Sequence, residues 1–207
     1  SLAAVEEVAV VLVPDAMLAY NRMSVPEARG FVQRIHDAMI DMCERLQDRF
    51  AILDMPETRD IEEIRRLRQR RDSNYAAYYF PWLMVPGPNG QVVRQPPSGH
   101  VAGVFARSEV QHGVHKAPAN EQLFGVTQLT LPLSDDHVGQ LNAEGINTIR
   151  SFTGRGIRIW GARTCASEPD WRYLNVRRLF IMLRRAIENG TQWISFEPNT
   201  PDTWAII

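Results

Sequence analysis

The 207 residues are enough for one domain with a hydrophobic core, or for a domain with a small appendage. A formal net charge of −1 argues against a dedicated nucleic-acid-binding protein, which usually carries a strong basic excess. The 23 basic residues comprise one lysine, Lys116, and otherwise arginines; this bias suits buried or interfacial ion pairs, although a GC-rich genome also explains it.

The first third of the chain alternates predicted strands and helices. Apolar runs at residues 8–13 and at Phe50–Asp54 predict short strands that are buried on both faces, as in a parallel sheet. Between them, residues 26–47 predict a helix, because apolar positions recur every three or four residues after a proline. A second helix is predicted after a cap at Thr58 or Asp60.

The middle of the chain is predicted to contain two strands, a turn and a helix. Residues 75–85 predict an aromatic-rich third strand, in which Pro81 marks an end or a bulge. A turn is predicted at residues 86–90, because Asn-Gly is a strong turn dipeptide. Residues 100–110 predict a helix of small residues that packs closely on a sheet, and residues 124–133 predict another strand.

The last third again predicts alternating elements. Asp135 and Asp136 predict the start of a short helix that ends at Ala143. A strongly amphipathic helix is predicted over residues 174–188, closed by a cap at residues 189–190. Strands are predicted over residues 146–152 and 157–160 and from residue 193 onward. The pattern as a whole predicts an α/β domain whose mainly parallel or mixed sheet is flanked by helices.

Motifs that would carry chemistry are weak in this sequence. His112 and His115 resemble a close metal pair, but they lack the further ligands that zinc requires. The glycines at 154 and 156 lead into a predicted strand and lack the third glycine of a dinucleotide-binding fingerprint. Asp54 ends a predicted strand, where a carboxylate is sometimes catalytic. No residue is therefore assigned a catalytic, cofactor-binding or metal-binding role.

Three further features of the sequence concern its cysteines, its apolar runs and its densest basic run. Cys43 and Cys165 are predicted to be buried thiols, because two cysteines make neither a disulfide framework nor a zinc site. No apolar run approaches the roughly 20 residues needed to span a bilayer. The basic run at residues 65–71 predicts a solvated helix face or, alternatively, a surface that contacts a second subunit and is sensitive to salt.

Several blocks of the sequence, taken in order, resemble one known family. The blocks lie at residues 43–45, 49–54, 78–82, 96–103, 113–120, 141–150, 154–164, 171–180 and 196–199. In this order and spacing the chain resembles the tail sheath proteins of contractile phages and of related tailocins and extracellular contractile injection systems. A single block such as Pro-Pro-Ser-Gly is unspecific, whereas the ordered series covers nearly the whole chain.

Physical roles can be given to several residues in these blocks. Gly145, Gly154, Gly156 and Gly161 are expected to allow tight turns at strand ends. The tryptophans at 160, 171 and 193 are expected to contribute apolar area to one core. The candidate assembly residues within or beside these blocks are Arg150, Arg163, Asp170, Asn175, Arg177, Arg178 and Glu197. The arginines among them are suited to pair with one of the two acidic residues, within or between subunits.

The resemblance implies a structural function without enzymatic activity or a cofactor. Sheath subunits polymerise around a rigid inner tube on a baseplate, with a terminator protein at the other end, and they shift from an extended to a shorter, wider helix. That contraction drives the tube through a target envelope. The implied location is a virion tail or an assembled contractile particle, made in the bacterial cytoplasm, with no nucleic-acid partner and no membrane insertion. An α/β enzyme or small-molecule-binding domain, or a static scaffold, is the alternative.

The ends of the chain suggest its extent within such a subunit. It begins Ser-Leu-Ala-Ala without an initiator methionine and ends in an apolar run at residues 202–207. We therefore expect a fragment of a longer protein, in which residues 1–207 are the conserved core of the sheath subunit and the first part includes a portion of an outer domain. The extended terminal arms and the upstream variable domain of the family are expected to be absent.

Overall fold

The computed structural model describes residues 2–5, 7–20, 23–69 and 71–206. Its α-helices are α1 Ala16–Tyr20, α2 Val25–Leu46, α3 Ile61–Arg68, α4 Ser98–His112, α5 Asp135–Ala143, α6 Leu174–Thr191 and α7 Pro201–Ile206. Its strands are β1 Val10–Val11, β2 Phe50–Asp54, β3 Ala76–Phe80, β4 Leu83–Pro86, β5 Val92–Gln95, β6 Gln128–Leu129, β7 Ile146–Phe152 and β8 Gly156–Trp160. Short 3-10 helices lie at Leu2–Ala4, Pro169–Trp171 and Gln192–Phe196.

The main sheet has five strands in the order β1-β2-β3-β7-β8. The first four are parallel, and β8 runs antiparallel to β7. Every residue of β2 and β3 is buried, because these central strands are covered on both faces. The predicted α/β class with a mixed sheet flanked by helices is therefore confirmed.

The predicted strand at residues 75–85 is in fact two strands that belong to different sheets. β3 ends at Phe80, a cis peptide bond joins Phe80 to Pro81, and β4 then pairs with β5 and β6 in a small antiparallel sheet. Pro81 marks an end, as one of the two predictions had it, since proline has no N–H to donate to a ladder. The next residue, Trp82, is buried and donates its Nε1–H to the Met55 carbonyl oxygen at 2.7 Å.

Most helix limits agree with the local signals in the sequence. α2 ends at Leu46 and is capped by Gln47, whose left-handed backbone has a φ of 56° and whose N–H donates to the Cys43 carbonyl oxygen. The cap of α3 is Asp60, which accepts hydrogen bonds from the N–H groups of Glu62 and Glu63 at 3.0 and 3.2 Å. α5 begins at Asp135 as predicted.

Four further predicted elements differ from the structure. Only β6 is strand within residues 124–133, and β1 spans two residues of the predicted 8–13. α6 continues through residues 189–190 to Thr191, and residues 192–196 form a 3-10 helix where a strand was predicted. Short apolar runs do not distinguish helix from strand, and this segment extends α6 with no strand of either sheet paired to it in the described structure.

The predicted turn glycines are required where the chain packs most closely. Gly145 has a φ of +81°, and a Cβ there would lie 2.9 Å from the Thr164 carbonyl oxygen. A Cβ on Gly161 would lie 2.8 Å from Oδ1 of the buried Asn147. Cys43 and Cys165 are buried free thiols, as predicted.

The three tryptophans do not share one core. Trp160 stacks on Phe152 with ring centroids 4.8 Å apart, and Trp171 contacts Phe180 on α6 at 5.1 Å. Trp193 is 42% exposed in the 3-10 helix after α6. The prediction of a common core is wrong, because Trp160 and Trp171 are only half-buried against separate rings and Trp193 is exposed, whereas Trp82 is fully buried.

Candidate assembly site

The first two turns of α6 hold three of the seven candidate residues, Asn175, Arg177 and Arg178. Leu174 and Ile181 of this helix enter the core, and Arg177 and Arg178 lie on the same buried side. An amphipathic helix normally buries only apolar residues, so each of these arginines needs a specific partner.

Arg178 joins α6 to the end of α4. Its Nη2 donates to Oε2 of Glu109 at 2.6 Å, and its guanidinium lies 4.8 Å from the centre of the Phe105 ring. The Arg178 side chain is 8% exposed, whereas that of Glu109 is 47% exposed. The pair therefore sits at the edge of the core, where a carboxylate and an aromatic ring together compensate the buried cation.

Arg177 is held by aromatic rings. Its guanidinium lies 3.5 Å from the centre of the Trp171 ring and 4.5 Å from that of Tyr75, and its Nη1 donates to the Tyr75 hydroxyl at 3.2 Å. Burial lowers the pKa of Arg177 from its ordinary value, yet a guanidinium remains charged under all ordinary conditions. The cation therefore clamps α6 to the start of β3 and to the preceding 3-10 helix.

Two asparagine side chains join neighbouring backbone segments of the domain. Asn175 donates from Nδ2 to the His115 carbonyl oxygen at 3.0 Å, which ties α6 to the turn after α4. Asn147, fully buried on β7, donates to the carbonyl oxygens of Tyr78 and Arg163 at 3.2 and 2.7 Å. Its Oδ1 accepts from the Arg163 N–H at 2.7 Å, so one side chain links β3, β7 and the segment after β8.

The remaining candidates lie elsewhere. Arg150 on β7 pairs with Asp135 at the start of α5, with Nη2 and Oδ1 2.5 Å apart. The Arg163 side chain reaches only the Ala143 carbonyl oxygen, at 3.4 Å. Asp170 and Glu197 are exposed, on either side of α6.

Within the chain, neither Arg150 nor Arg178 pairs with Asp170 or Glu197, and pairs of these residues between subunits stay a prediction. Arg178 pairs with Glu109 and Arg150 with Asp135 because the fold turns these side chains toward α4 and α5, away from the acidic residues that flank α6. The structure brings Asn175, Arg177 and Arg178 together on α6, whereas Arg150 lies on β7 and pairs with α5. Glu109 lies outside the sequence blocks, and Asn147 lies within the block at residues 141–150 but was not among the candidate assembly residues.

The basic run on α3 is largely engaged within the domain. Arg65 pairs with Glu144 and Glu62 at 2.5 and 2.7 Å, and Arg71 pairs with Asp37 at 2.7 Å. Arg68 is buried and donates to the Cys165 carbonyl oxygen at 2.6 Å. Arg70 lies outside the described residues. Arg65, Arg68 and Arg71 are thus engaged within the domain, whereas the Arg66 side chain is 65% exposed, and a contact of this run with a second subunit stays a prediction.

The surface also carries a large exposed apolar area. On α6 and the 3-10 helix that follows it, Phe180 is 49% exposed, Leu183 41%, Ile187 64% and Phe196 95%. Trp204 on α7 is 61% exposed. Apolar side chains that are clustered in this way usually mark a protein contact, whereas single ones do not.

The surface hollows and titratable groups that could form an active site are either shallow or buried. One open hollow of about 460 Å³ is bordered by Glu57, Arg59 and Arg94, and Glu57 and Arg94 already pair with each other at 3.0 Å. In the part of the chain that the structure describes, no group of three His, Cys, Asp or Glu side chains is placed to hold a metal ion. His112 ends α4 and His115 lies in the turn beyond it, so the metal-pair hypothesis gains no third ligand among the described residues.

Asp54 is the acidic residue whose pKa differs most clearly from its ordinary value, and the structure explains the difference. It is 3% exposed at the end of β2, and its Oδ1 accepts a hydrogen bond from the Ser98 N–H at 2.8 Å. Burial raises the pKa of this carboxyl to about 7, against the lowering effect of the hydrogen bond. Since Pro97 offers no capping side chain, Asp54 acts as the cap of α4 rather than as an accessible acid or base.

Comparison with known proteins gives a consistent family. The chain matches the family described as phage tail sheath protein central domain over residues 15–165. It is 39% identical over 97 residues to the tail sheath protein of Burkholderia phage BcepMu, which covers 44% of this chain and 20% of that protein. It is 32% identical over 108 residues to the tail sheath protein of Vibrio phage KVP40, which covers 50% of this chain and 16% of that protein.

Solved structures extend the similarity to nearly the whole chain. A chain from the contracted baseplate of the anti-feeding prophage superposes with a TM-score of 0.84 and 28% identity, over 99% of this chain and 54% of that one. A chain from the contracted helical sheath of the same particle gives 0.73 and 31%, over 99% of this chain and 52% of that one. A chain from the contracted sheath complex of an extracellular contractile injection system gives 0.71 and 35%, over 80% and 48%.

The described helices include none that is long and apolar enough to cross a membrane. The chain spans about half of the sheath and baseplate chains that it matches, and less of the two phage proteins. The family match covers residues 15–165, which include four of the five strands of the main sheet, β2, β3, β7 and β8, and the helices α1 to α5. On these grounds the chain belongs to the phage tail sheath protein family.

Proposed function

We propose that this chain is part of a structural subunit that polymerises with its own copies around an inner tube and contracts to drive that tube through a target envelope. The family match over residues 15–165 carries this proposal, and the similarity to the contracted helical sheath of the anti-feeding prophage supports it. The subunit acts without catalysis or a cofactor: the work of contraction comes from contacts that form between subunits, not from nucleotide hydrolysis.

A contracting sheath requires a domain that keeps its fold while its contacts change. Close-packed interiors transmit strain rather than deform, so rigid-body movement is the natural response to new contacts at the surface. Here the fully buried strands β2 and β3 and the hydrogen bonds of Asn147 and Arg68 join the core internally. These features support a subunit that moves as one body.

The partners follow from the same proposal. They are other copies of the subunit, the inner tube protein, the baseplate and a terminator protein, in a phage tail or a comparable contractile particle made in the bacterial cytoplasm. The similarity to chains in baseplate structures of the anti-feeding prophage supports the baseplate contact. Neither a nucleic-acid partner nor insertion into a membrane is part of the proposal, and the near-neutral charge of −1 agrees with this.

We further propose that residues 1–207 form the conserved core of such a subunit, with part of an outer domain at the start. The chain spans about half of the matched sheath chains, and the arms that link subunits by strand addition belong to the other part in this proposal.

The test is electron microscopy of the full-length subunit, co-expressed with its tube protein. We expect hollow striated cylinders in a long, narrow form and a short, wide form. Cylinders of one fixed length would indicate a static scaffold. Dispersed particles without tubes would contradict the proposal and return attention to a binding or enzymatic role.

A further inference from the structure

We propose that one face of the β7–β8 hairpin binds an acidic peptide segment of a partner protein. We call this face the hairpin patch, and it is defined by Arg150, Phe152, Arg155, Arg158 and Trp160. The inference goes beyond the proposed function, which assigns no surface of this domain to a partner. It does not depend on that function, because it follows from the side chains of one hairpin.

The strand register places these side chains on one face of the hairpin. Arg150 on β7 lies directly opposite Arg158 on β8, and Phe152 is two residues further along β7. Side chains of a strand alternate between its two faces, so Trp160, two residues from Arg158, shares this face. Arg155 in the turn is exposed, and the other four residues of the patch are half-buried. The opposite face points into the core and carries the buried isoleucines Ile149, Ile157 and Ile159.

Three guanidinium groups gather around two aromatic rings in this patch. The centroids of the Phe152 and Trp160 rings are 4.8 Å apart. The guanidinium of Arg150 lies 5.2 Å from the centre of the Phe152 ring, and that of Arg155 lies 5.3 Å from it. Attraction between cation and ring offsets part of the repulsion among the arginines. Like charges directly opposite each other in a sheet, as in Arg150 and Arg158, are nevertheless destabilising.

Only one of these three charges is balanced by a carboxylate in the described structure. Arg150 pairs with Asp135, whose side chain is 85% exposed. Arg155 donates to Oδ1 of Asn120 at 2.9 Å, and Arg158 donates to the carbonyl oxygens of Arg155 and Asn120 at 2.9 and 2.6 Å. These acceptors are uncharged, and neither arginine forms an ion pair with a described residue. The patch therefore keeps an excess positive charge that an anionic partner would neutralise.

The bonds to Asn120 also hold the two arginine side chains in place. Asn120 is itself fixed, because its N–H donates to the Ile159 carbonyl oxygen at 2.8 Å. A guanidinium has five N–H donors, and the bonds above use one in Arg155 and two in Arg158. The remaining donors suit a carboxylate, which accepts from a guanidinium in a bidentate manner. Side chains that are already ordered lose less conformational entropy when a ligand binds.

The chemistry and the size of the patch favour an acidic peptide over a nucleic acid. Arginine clusters recognise acidic peptide motifs, whereas nucleic-acid-binding proteins usually carry a basic excess that this chain, with a net charge of −1, lacks. In an extended peptide, side chains on the same side are about 7 Å apart, which is also the spacing of Arg150 and Phe152 along β7. Acidic side chains at alternate positions therefore match the arginines that flank the Phe152 ring.

The test is the binding of a labelled acidic peptide to this chain, measured by fluorescence anisotropy. The probe alternates glutamate and serine over about 16 residues and carries an uncharged fluorophore. We expect saturable binding that weakens as salt is raised, because charges at the surface are screened. Arg150→Gln with Arg155→Gln is expected to weaken binding roughly tenfold, because two contacts between guanidinium and carboxylate are lost. Arg155→Gln alone, at the exposed turn, is expected to weaken it by a smaller factor with the fold intact.

The matched control removes the same charge elsewhere. Arg45→Gln with Arg59→Gln changes two exposed arginines outside the patch, on α2 and before α3, and is expected to change binding by less than about twofold. Three results would overturn the inference: no saturable binding to the unaltered chain, equal weakening by the control pair, or tighter binding of an oligothymidylate of the same charge. The last of these would indicate a nucleic-acid surface instead.

The same titration on the full-length subunit, kept monomeric, separates a partner from the rest of the subunit. We expect the full-length subunit to bind the probe as this chain does, because the acidic segment belongs to another molecule. Loss of binding in the full-length monomer would show that a further part of the same subunit covers the patch, and would overturn the assignment to a partner. Neither outcome bears on the sheath function, which electron microscopy tests separately.

Discussion

At the scale of single residues, the side chains of Arg68, Arg177 and Arg178 are buried, and each is compensated differently. Arg68 donates to main-chain carbonyl oxygens, Arg177 lies between two aromatic rings, and Arg178 combines a ring with the carboxylate of Glu109. Arginine suits all three arrangements because its guanidinium is planar, stacks on rings and donates in several directions. Part of the arginine bias of this chain is therefore structural.

The first prediction concerns Asp54. Its folded pKa is about 7, well above the ordinary value of 3.8. Between these two values the unfolded chain has lost a proton that the folded chain retains, so the free energy of unfolding falls as pH rises, by up to about 1.4 kcal/mol per pH unit. Asp54→Asn keeps an oxygen that accepts from the Ser98 N–H and never ionises. In this variant the free energy of unfolding no longer falls with pH through the ionisation of residue 54. We therefore expect the variant to become more stable relative to the unaltered chain as pH rises from 4 to 7.

The measurement is urea denaturation of both proteins across this pH range. The test is the difference between their free energies of unfolding, plotted against pH. His36 is buried, and burial lowers its pKa to about 4, so it acts in the opposite direction, with stability lost as pH falls through this range. His36 is present in both proteins and cancels in the difference. Parallel curves for the two proteins would show that Asp54 is not the group responsible.

At the scale of elements, α6 depends on its docking to α4 and to the start of β3. The contacts of Asn175, Arg177 and Arg178 all fall in its first turns, whereas its second half is largely exposed. In proteins most of the stability of a helix comes from tertiary packing, so the contacts at one end hold the whole element in place. α6 is thus anchored by polar contacts as well as by Leu174 and Ile181.

The second prediction tests this anchor. Arg178→Met keeps the apolar stem but removes the pair with Glu109 and the contact with the Phe105 ring. We expect a loss of about 1–2 kcal/mol in the free energy of unfolding and roughly tenfold faster hydrogen exchange in α6. The matched control is Arg184→Met on the same helix, which removes an exposed bond to Gln47 and should change stability by less than about 0.5 kcal/mol. Equal effects of the two substitutions would contradict the anchoring role.

Local sequence signals predicted some elements better than others, for physical reasons. α2 and β2 carry strong periodicity and clear ends, and their limits match closely. Residues 75–85 form a continuous apolar run, and nothing within it showed that Leu83 onward pairs with a different sheet. The segment after α6 was predicted as a strand from its apolar residues, yet a strand requires a partner that the local sequence does not specify.

At the scale of the whole molecule, a rigid interior is combined with exposed surfaces that have no partner in the described structure. The central strands are buried on both faces, whereas the α6 side and the α1–α2 side carry exposed apolar residues. The outer edge of β8 is covered by residues 120–123 through main-chain hydrogen bonds, which protects that edge from pairing with another chain. In the proposed assembly, subunit contacts are therefore expected at other surfaces.

The third prediction follows from the proposed contraction of a rigid subunit. In full-length sheaths, hydrogen exchange of the amides in β2, β3 and β7 is expected to be equally slow in the extended and contracted forms, because these strands lie inside a body that moves without unfolding. Amides of α6 and α1 are expected to change protection. A large difference within the central strands would show that the core itself rearranges.

The sequence by itself determined the α/β class, the strongest helices and strands, and the family resemblance, because periodicity, capping and motif order are local properties of the chain. The tertiary structure decided which side chains meet. Glu109 and Asn147 became important only when α4, α6 and β7 were brought together, and the partners of the arginines followed from that packing. The exposed apolar residues of α6 likewise became visible only once the core had covered the other face, since exposure belongs to the folded molecule.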